Sequence, residues 1–260
     1  MNGYQEREPV RRRRRGVRLL PNLLTSCSLY AGFYSIVSSL NGNFVHAAIA
    51  VFISAVFDSL DGKVARLTRT SSRFGVEYDS LSDLVAFGVA PSLLAYLWAL
   101  NGFGRLGWTA CFLFVACGAL RLARFNTNVG RRSIRFMQGL SIPTSAMTMS
   151  AAVLLFQDLG LEGPLKSWLV LALVIGLSFL MVSNVRYPSF KGELIKAKPF
   201  NALVIAVLIL ALTSIRPQIV IFAVALIYIA WGPLLALYIA RRAGEEPAAE
   251  DEDEAEAAIF

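Results

Sequence analysis

Phe57 to Pro91 reads FDSLDGKVARLTRTSSRFGVEYDSLSDLVAFGVAP. Apolar blocks flank this stretch, yet it carries four aspartates: Asp58, Asp61, Asp79 and Asp83. The first two are three residues apart and the last two are four apart, so each pair lies on one face of its helix. The connection Leu67 to Gly75 is short enough to make the two helices antiparallel neighbours. Four carboxylates then converge on one point. Such a cluster at membrane depth is costly unless its charge is cancelled. Hard divalent cations with oxygen ligands, Mg²⁺ or Mn²⁺, suit it. Two ions about 3.5–4 Å apart would clamp the oxygens of a phosphoryl displacement. Gly62, Ala65 and Gly75 lack bulk where that site needs room, and Arg66 could pair with a phosphate oxygen. The plainer reading makes the aspartates interfacial residues of a helical hairpin, paired with Arg66, Arg69 and Arg73. It suits any single aspartate better than it suits the set, because unneutralised intramembrane acids are rare and usually functional.

The chain around this hairpin is apolar. Hydrophobic residues make up 56% and charged residues 17% of the 260, against about 25% charged in a soluble domain. Eight blocks read as spans: Leu19–Leu40, Phe44–Val64, Tyr78–Leu100, Gly107–Phe125, Leu140–Phe156, Leu165–Val185, Phe200–Ile215 and Ile219–Ala240. The expected fold is all-α, a polytopic transmembrane helical bundle of about eight spans. No strand alternation of the kind a barrel needs is visible. If the N-terminal side is inside, 22 of the 25 Lys and Arg lie inside, and only Arg105, Lys166 and Arg216 lie outside. That bias puts both termini in the cytoplasm of a multi-pass cell-membrane protein, with the aspartates facing the cytoplasm.

Three parts follow: a basic segment (residues 1–18), a membrane catalytic domain (19–242) and an acidic, Ala-rich tail (243–260) expected to be disordered. The Arg11–Arg15 run reads as an orientation signal that meets anionic membrane lipids. No nucleic-acid partner is expected, since no folded nucleic-acid module follows the run. No cleavable signal peptide is read. Cys27, Cys111 and Cys117 fall inside apolar blocks and read as packing residues, and His46 as structural.

The pattern Asp58-x-x-Asp61-Gly62-x-x-Ala65-Arg66, eight residues, Gly75-x-x-x-Asp79-x-x-x-Asp83 resembles the CDP-alcohol phosphotransferase signature at every fixed position. The resemblance implies a membrane fold with a six-helix catalytic core. It also implies a site of two divalent ions, Mg²⁺ or Mn²⁺, in which Asp58, Asp61 and Asp79 bind metal and Asp83 adds the role of general base. Arg66 is then expected near the diphosphate, and Gly62, Ala65 and Gly75 near the cytidine nucleotide. Pro21-Asn22-Leu23-Leu24-Thr25 resembles a first-helix element of the family, which places Asn22 and Thr25 toward the nucleotide.

A second likeness concerns the acceptor. Leu120 to Asn128, Gly139 to Pro143 and Met181 to Lys191 are similar to the serine-accepting branch of that family in bacteria and archaea. The donor implied is CDP-diacylglycerol and the acceptor L-serine; a homodimer stays open. Arg121 and Arg124 could receive a serine carboxylate or a substrate phosphate, or simply anchor the span on its basic side. Asn126, Asn184 and Arg186 carry the same ambiguity. Glycerol 3-phosphate or inositol phosphate as acceptor keeps the chemistry and brings a phosphate for Arg121, Arg124 and the Arg131, Arg132, Arg135 cluster. A divalent-cation transporter is the rival from another class. It expects the acids near the bilayer midplane and leaves the glycine and arginine positions unexplained.

Overall fold

The computed structural model describes residues 15–68, 70, 72–127, 136–188 and 216–243. Nearly all of them are helical. α1 runs Arg15–Leu40, α2 Phe44–Thr68 and α3 Arg73–Asp83. The chain continues without a loop through a π-helical segment (Leu84–Val89), α4 (Ala90–Ala95), a second π segment (Tyr96–Leu100) and a 3₁₀ turn. α5 is Arg105–Thr127, α6 Ile142–Asp158, α7 Pro164–Val182 and α8 Pro217–Ala243. Among the described residues, six helices are long and apolar enough to cross a membrane, so this is an all-α polytopic membrane bundle.

Seven of the eight apolar blocks coincide with these helices. The remaining block, 200–215, lies outside the described residues, as do Arg11–Arg14, the cluster Arg131, Arg132 and Arg135, and the acidic tail from 244. α1 starts at Arg15, inside the basic segment expected to end at residue 18. α6 has 17 residues, about 25 Å of helix. It is buried on nearly every side, from Ile142 through Ala146, Met149 and Val153 to Phe156. It packs against α2, α7 and α8. One feature departs from the helical expectation: Phe136–Gln138 and Arg186–Pro188 pair as a short antiparallel ribbon that joins the approaches to α6 and the exit of α7.

Two local causes shape the site. The first π segment ends just before Pro91. Proline lacks an N–H, and its ring collides with the carbonyl four residues back. The helix widens there, and Ala90 N–H reaches Val85 O, five residues back. The second cause is close packing. α1 lies along α2 and crosses the start of the third span. At Gly32 a Cβ would stand 2.6 Å from Ala86 Cα, so only glycine lets α1 approach the π segment this closely. Ser28 and Ser54 clasp α1 to α2, each hydroxyl within 3.1 Å of the other's carbonyl. The three cysteines are free; Cys111 and Cys117 are buried.

Candidate active site

Asp58 and Asp61 lie in the last turns of α2, and Asp79 and Asp83 on α3. Asp61 is seven residues from the end of α2 and Asp79 six from the start of α3. Both therefore sit about 10 Å from the turn that joins the helices. α3 can start where it does because Ser72 caps it, accepting from Gly75 N–H at 3.0 Å.

Carboxylate oxygens of Asp58, Asp61 and Asp79 all lie within 4.8 Å of one another. Asp83 lies next to Asp58 and so joins the same cluster. Two ionised carboxylates have no proton to exchange, so this approach needs a shared proton or a cation between them. Asp79 Oδ1 is buried with no hydrogen-bond partner. A buried acceptor left unpaired is expensive, and a cation is the partner that suits a carboxylate among carboxylates. Among the described residues no ion pair joins these aspartates to Arg66 or Arg73; Arg69 lies outside them. The hairpin reading, with its acids matched to neighbouring arginines, therefore loses two of its three partners. The donor set fits a divalent metal.

Beside the cluster opens a cavity of about 210 Å³. Asn22, Thr25, Gly62, Ala65, Arg66 and Gly75 all line it, together with Asp61 and Asp79. α1 with its first-helix element, and α2 and α3 with the signature, thus all bring residues to one hollow. At Gly75 a Cβ would meet Asn22 Oδ1 and Ser72 Oγ, both at 3.1 Å, so a side chain would crowd the wall. Gly62 differs: a Cβ there would meet only Arg66 Nη1, at 3.8 Å, so its missing bulk leaves cavity space.

Pro21, the first residue of the first-helix element, lines the hollow too, and sequence reasoning missed Thr70, Ser72 and Val76, which also line it. The Ser72–Gly75 spacing was a readable helix-start signal; nothing comparable marked Thr70 or Val76. It also missed the ties that hold the wall. Thr25 Oγ1 donates to Asp61 Oδ2 at 2.7 Å, Ser82 Oγ donates to Thr25 O at 3.2 Å, and Ser26 Oγ lies 2.9 Å from Tyr78 OH.

Of the acceptor candidates whose side chains are described, Arg121, Arg124, Asn126 and Asn184, none lines the cavity. Asn126, at the end of α5, donates to Ser80 Oγ at 2.9 Å, next in sequence to Asp79. Arg124 donates to Asn184 Oδ1 at 2.7 Å, beyond the end of α7. Arg121 is buried within α5, 8% exposed. Arg186 sits in the ribbon opposite Gln138.

Comparison with known proteins bears on the chemistry. The family model for CDP-alcohol phosphatidyltransferase matches residues 18–182. A CDP-diacylglycerol–serine O-phosphatidyltransferase of Helicobacter pylori is 40% identical over 222 residues, covering 85% of this chain and 92% of that protein. The Methanocaldococcus jannaschii protein of the same name is 36% identical over 172 residues, 66% of this chain and 78% of its own. An archaetidylserine synthase of Methanothermobacter thermautotrophicus is 38% identical over 175 residues, 66% of this chain and 71% of its own.

Proposed function

We propose that this chain, which belongs to the CDP-alcohol phosphatidyltransferase family, transfers the phosphatidyl group of CDP-diacylglycerol to the hydroxyl of L-serine, giving phosphatidylserine and CMP. The observation that carries this reading is the meeting of the Asp58, Asp61 and Asp79 oxygens beside a hollow lined by Asn22, Thr25, Gly62, Ala65, Arg66 and Gly75. An acid cluster alone suits many cations. An acid cluster joined to a cavity with an arginine in its wall suits a nucleotide diphosphate.

The hollow takes the CDP half of the donor, with Arg66 set against the diphosphate. Two divalent ions, Mg²⁺ or Mn²⁺, held by Asp58, Asp61, Asp79 and Asp83, would supply charge neutralisation at the diphosphate and a lower cost for the developing alkoxide. Asp83 accepts the proton of the serine hydroxyl, a weak nucleophile at neutral pH. The freed oxygen attacks the lipid-side phosphorus, the bond to the bridging oxygen breaks, and CMP leaves with its new charge facing Arg66. The lipid tails stay in the bilayer beside α1 and α2, whose outward faces carry Leu23, Phe33, Ile53 and Val56. Asn126, tied to Ser80 beside the acids, is the best placed of the acceptor candidates. The basic-residue bias supports a site that opens to the cytoplasm, where serine is, with residues 19–242 as the catalytic unit of a cell-membrane protein.

The test is CMP release from CDP-diacylglycerol by the purified chain, scanned over L-serine, glycerol 3-phosphate and inositol phosphate with Mg²⁺ and Mn²⁺. Turnover with serine at least tenfold above the other acceptors is expected. Preference for a phosphorylated acceptor would overturn the serine assignment but keep the reaction class.

A further inference from the structure

Thr25 occupies an unusual junction. It is only 4% exposed, on α1, the helix that carries none of the four signature aspartates. Its hydroxyl has two acceptors in reach: Asp61 Oδ2 at 2.7 Å and Pro21 O at 3.1 Å. A hydroxyl has one proton. The carboxylate is the closer acceptor and the charged one, so the proton goes there. The backbone of Thr25 makes a second tie, because its carbonyl accepts from Ser82 Oγ, a buried residue adjacent to Asp83. One residue of α1 therefore grips α2 at Asp61 and the third span at Ser82. Both grips lie beside acids of the cluster.

We infer that Thr25 is a positioning residue: its hydroxyl orients the Asp61 carboxylate toward Asp58 and Asp79 for cation binding. This rests on the reading that Asp58, Asp61 and Asp79 hold a divalent cation. The physical reason is the number of positions a carboxylate can take. A carboxylate offers several lone pairs and rotates about its last torsion. A hydrogen bond on one oxygen selects one rotation and leaves the remaining lone pairs for the ion. Partners of this kind around metal ligands commonly carry a ten- to hundredfold share of metal affinity. The Ser82 tie supports the same arrangement from the backbone side, fixing the depth at which α1 meets the third span.

The experiment is Mn²⁺ binding to the purified full chain in lipid nanodiscs, followed by the paramagnetic resonance of free Mn²⁺, with no nucleotide or lipid substrate added. Thr25→Val removes the hydroxyl and keeps the shape, Thr25→Ser keeps the hydroxyl, and Thr25→Ala serves if the valine chain does not insert. The expected result is a Kd for Mn²⁺ raised about tenfold or more in Thr25→Val or Thr25→Ala, and within about threefold of the parent in Thr25→Ser. Adding Thr25→Val to Asp61→Asn should change the Kd no further, since the carboxylate it orients is gone. A parent that binds Mn²⁺ while Thr25→Val binds equally well overturns the positioning role alone. A parent that binds no Mn²⁺ overturns the cation site and the positioning role with it.

Discussion

The side-chain amide of Asn126 donates to Ser80 Oγ across 2.9 Å, tying the end of α5 to the helix that carries Asp79 and Asp83. Ser80 passes the contact on, donating to Val76 O at 3.0 Å, and Val76 lines the cavity. The fourth span is thereby linked to the helix that carries the acids. Asn126→Ala should raise the KM for serine about fivefold, the worth of one ordinary hydrogen bond, with the KM for CDP-diacylglycerol unchanged. Steady-state kinetics with each substrate varied in turn checks this. Equal effects on both constants would remove Asn126 from the acceptor side.

Asp58→Asn, Asp61→Asn and Asp79→Asn should each abolish turnover while the protein still inserts and purifies as a single species. Each change removes an anionic ligand from a cluster whose oxygens lie within 4.8 Å. CMP release across a Mg²⁺ titration is the measurement. Near-normal turnover at low Mg²⁺ in any two of the three would refute the metal assignment.

Asp83 lies next to Asp58 but outside the triad whose oxygens meet within 4.8 Å. As the base it should behave differently from the ligands. Asp83→Asn should lower the rate of the chemical step about 10²–10⁴-fold, with metal and CDP-lipid affinity near normal. Added metal should not restore the rate. Rescue by metal would make Asp83 chiefly a ligand.

The two cavity glycines should answer differently to the same methyl group. Gly75→Ala meets Asn22 Oδ1 and Ser72 Oγ at 3.1 Å, so the wall must shift, and Ser72 also caps α3. A loss of about 1–3 kcal/mol in stability is expected there, as for other overpacked positions. Gly62→Ala meets only Arg66 Nη1 at 3.8 Å. It should leave thermal unfolding unchanged and weaken CMP binding instead. Unfolding in detergent and CMP calorimetry on both variants separate the cases.

Orientation can be read in intact cells. On a cysteine-free background, a cysteine at Glu162 should react with an impermeant maleimide added outside, and one at Arg131 should not. The expectation rests on the placing of 22 of 25 basic residues on one side. The opposite pattern would turn the site away from cytosolic serine.

Much of this protein is written in short-range pattern. The apolar blocks foretold seven helices at nearly their observed places, because in a bilayer a backbone must satisfy itself and a helix is the local way to do so. The third span was less legible. It begins at Arg73, five residues before the apolar block at Tyr78, because Ser72 caps a polar first turn that hydropathy does not register. The π turns ahead of Pro91 were likewise invisible, since the sequence marks the proline but not how the helix relieves it. The short ribbon of Phe136–Gln138 with Arg186–Pro188 joins segments far apart in sequence and left no local sign.

The site divides the same way. Sequence by itself determined which residues belong together around the hairpin: Asp58, Asp61, Asp79 and Asp83 at helical spacing, with Gly62, Ala65, Arg66 and Gly75 between them. Intervals of three and four residues on neighbouring helices bring side chains to one face whatever the rest of the chain does. Tertiary structure alone decided which contacts the candidates on α1 and α5 make. Thr25 reaches Asp61 across 36 positions of sequence, Asn126 reaches Ser80 across 46, and Arg124 reaches Asn184 across 60. Those contacts depend on the crossing and depth of whole helices, which are set by packing such as Gly32 against Ala86. No periodicity within a single segment encodes them.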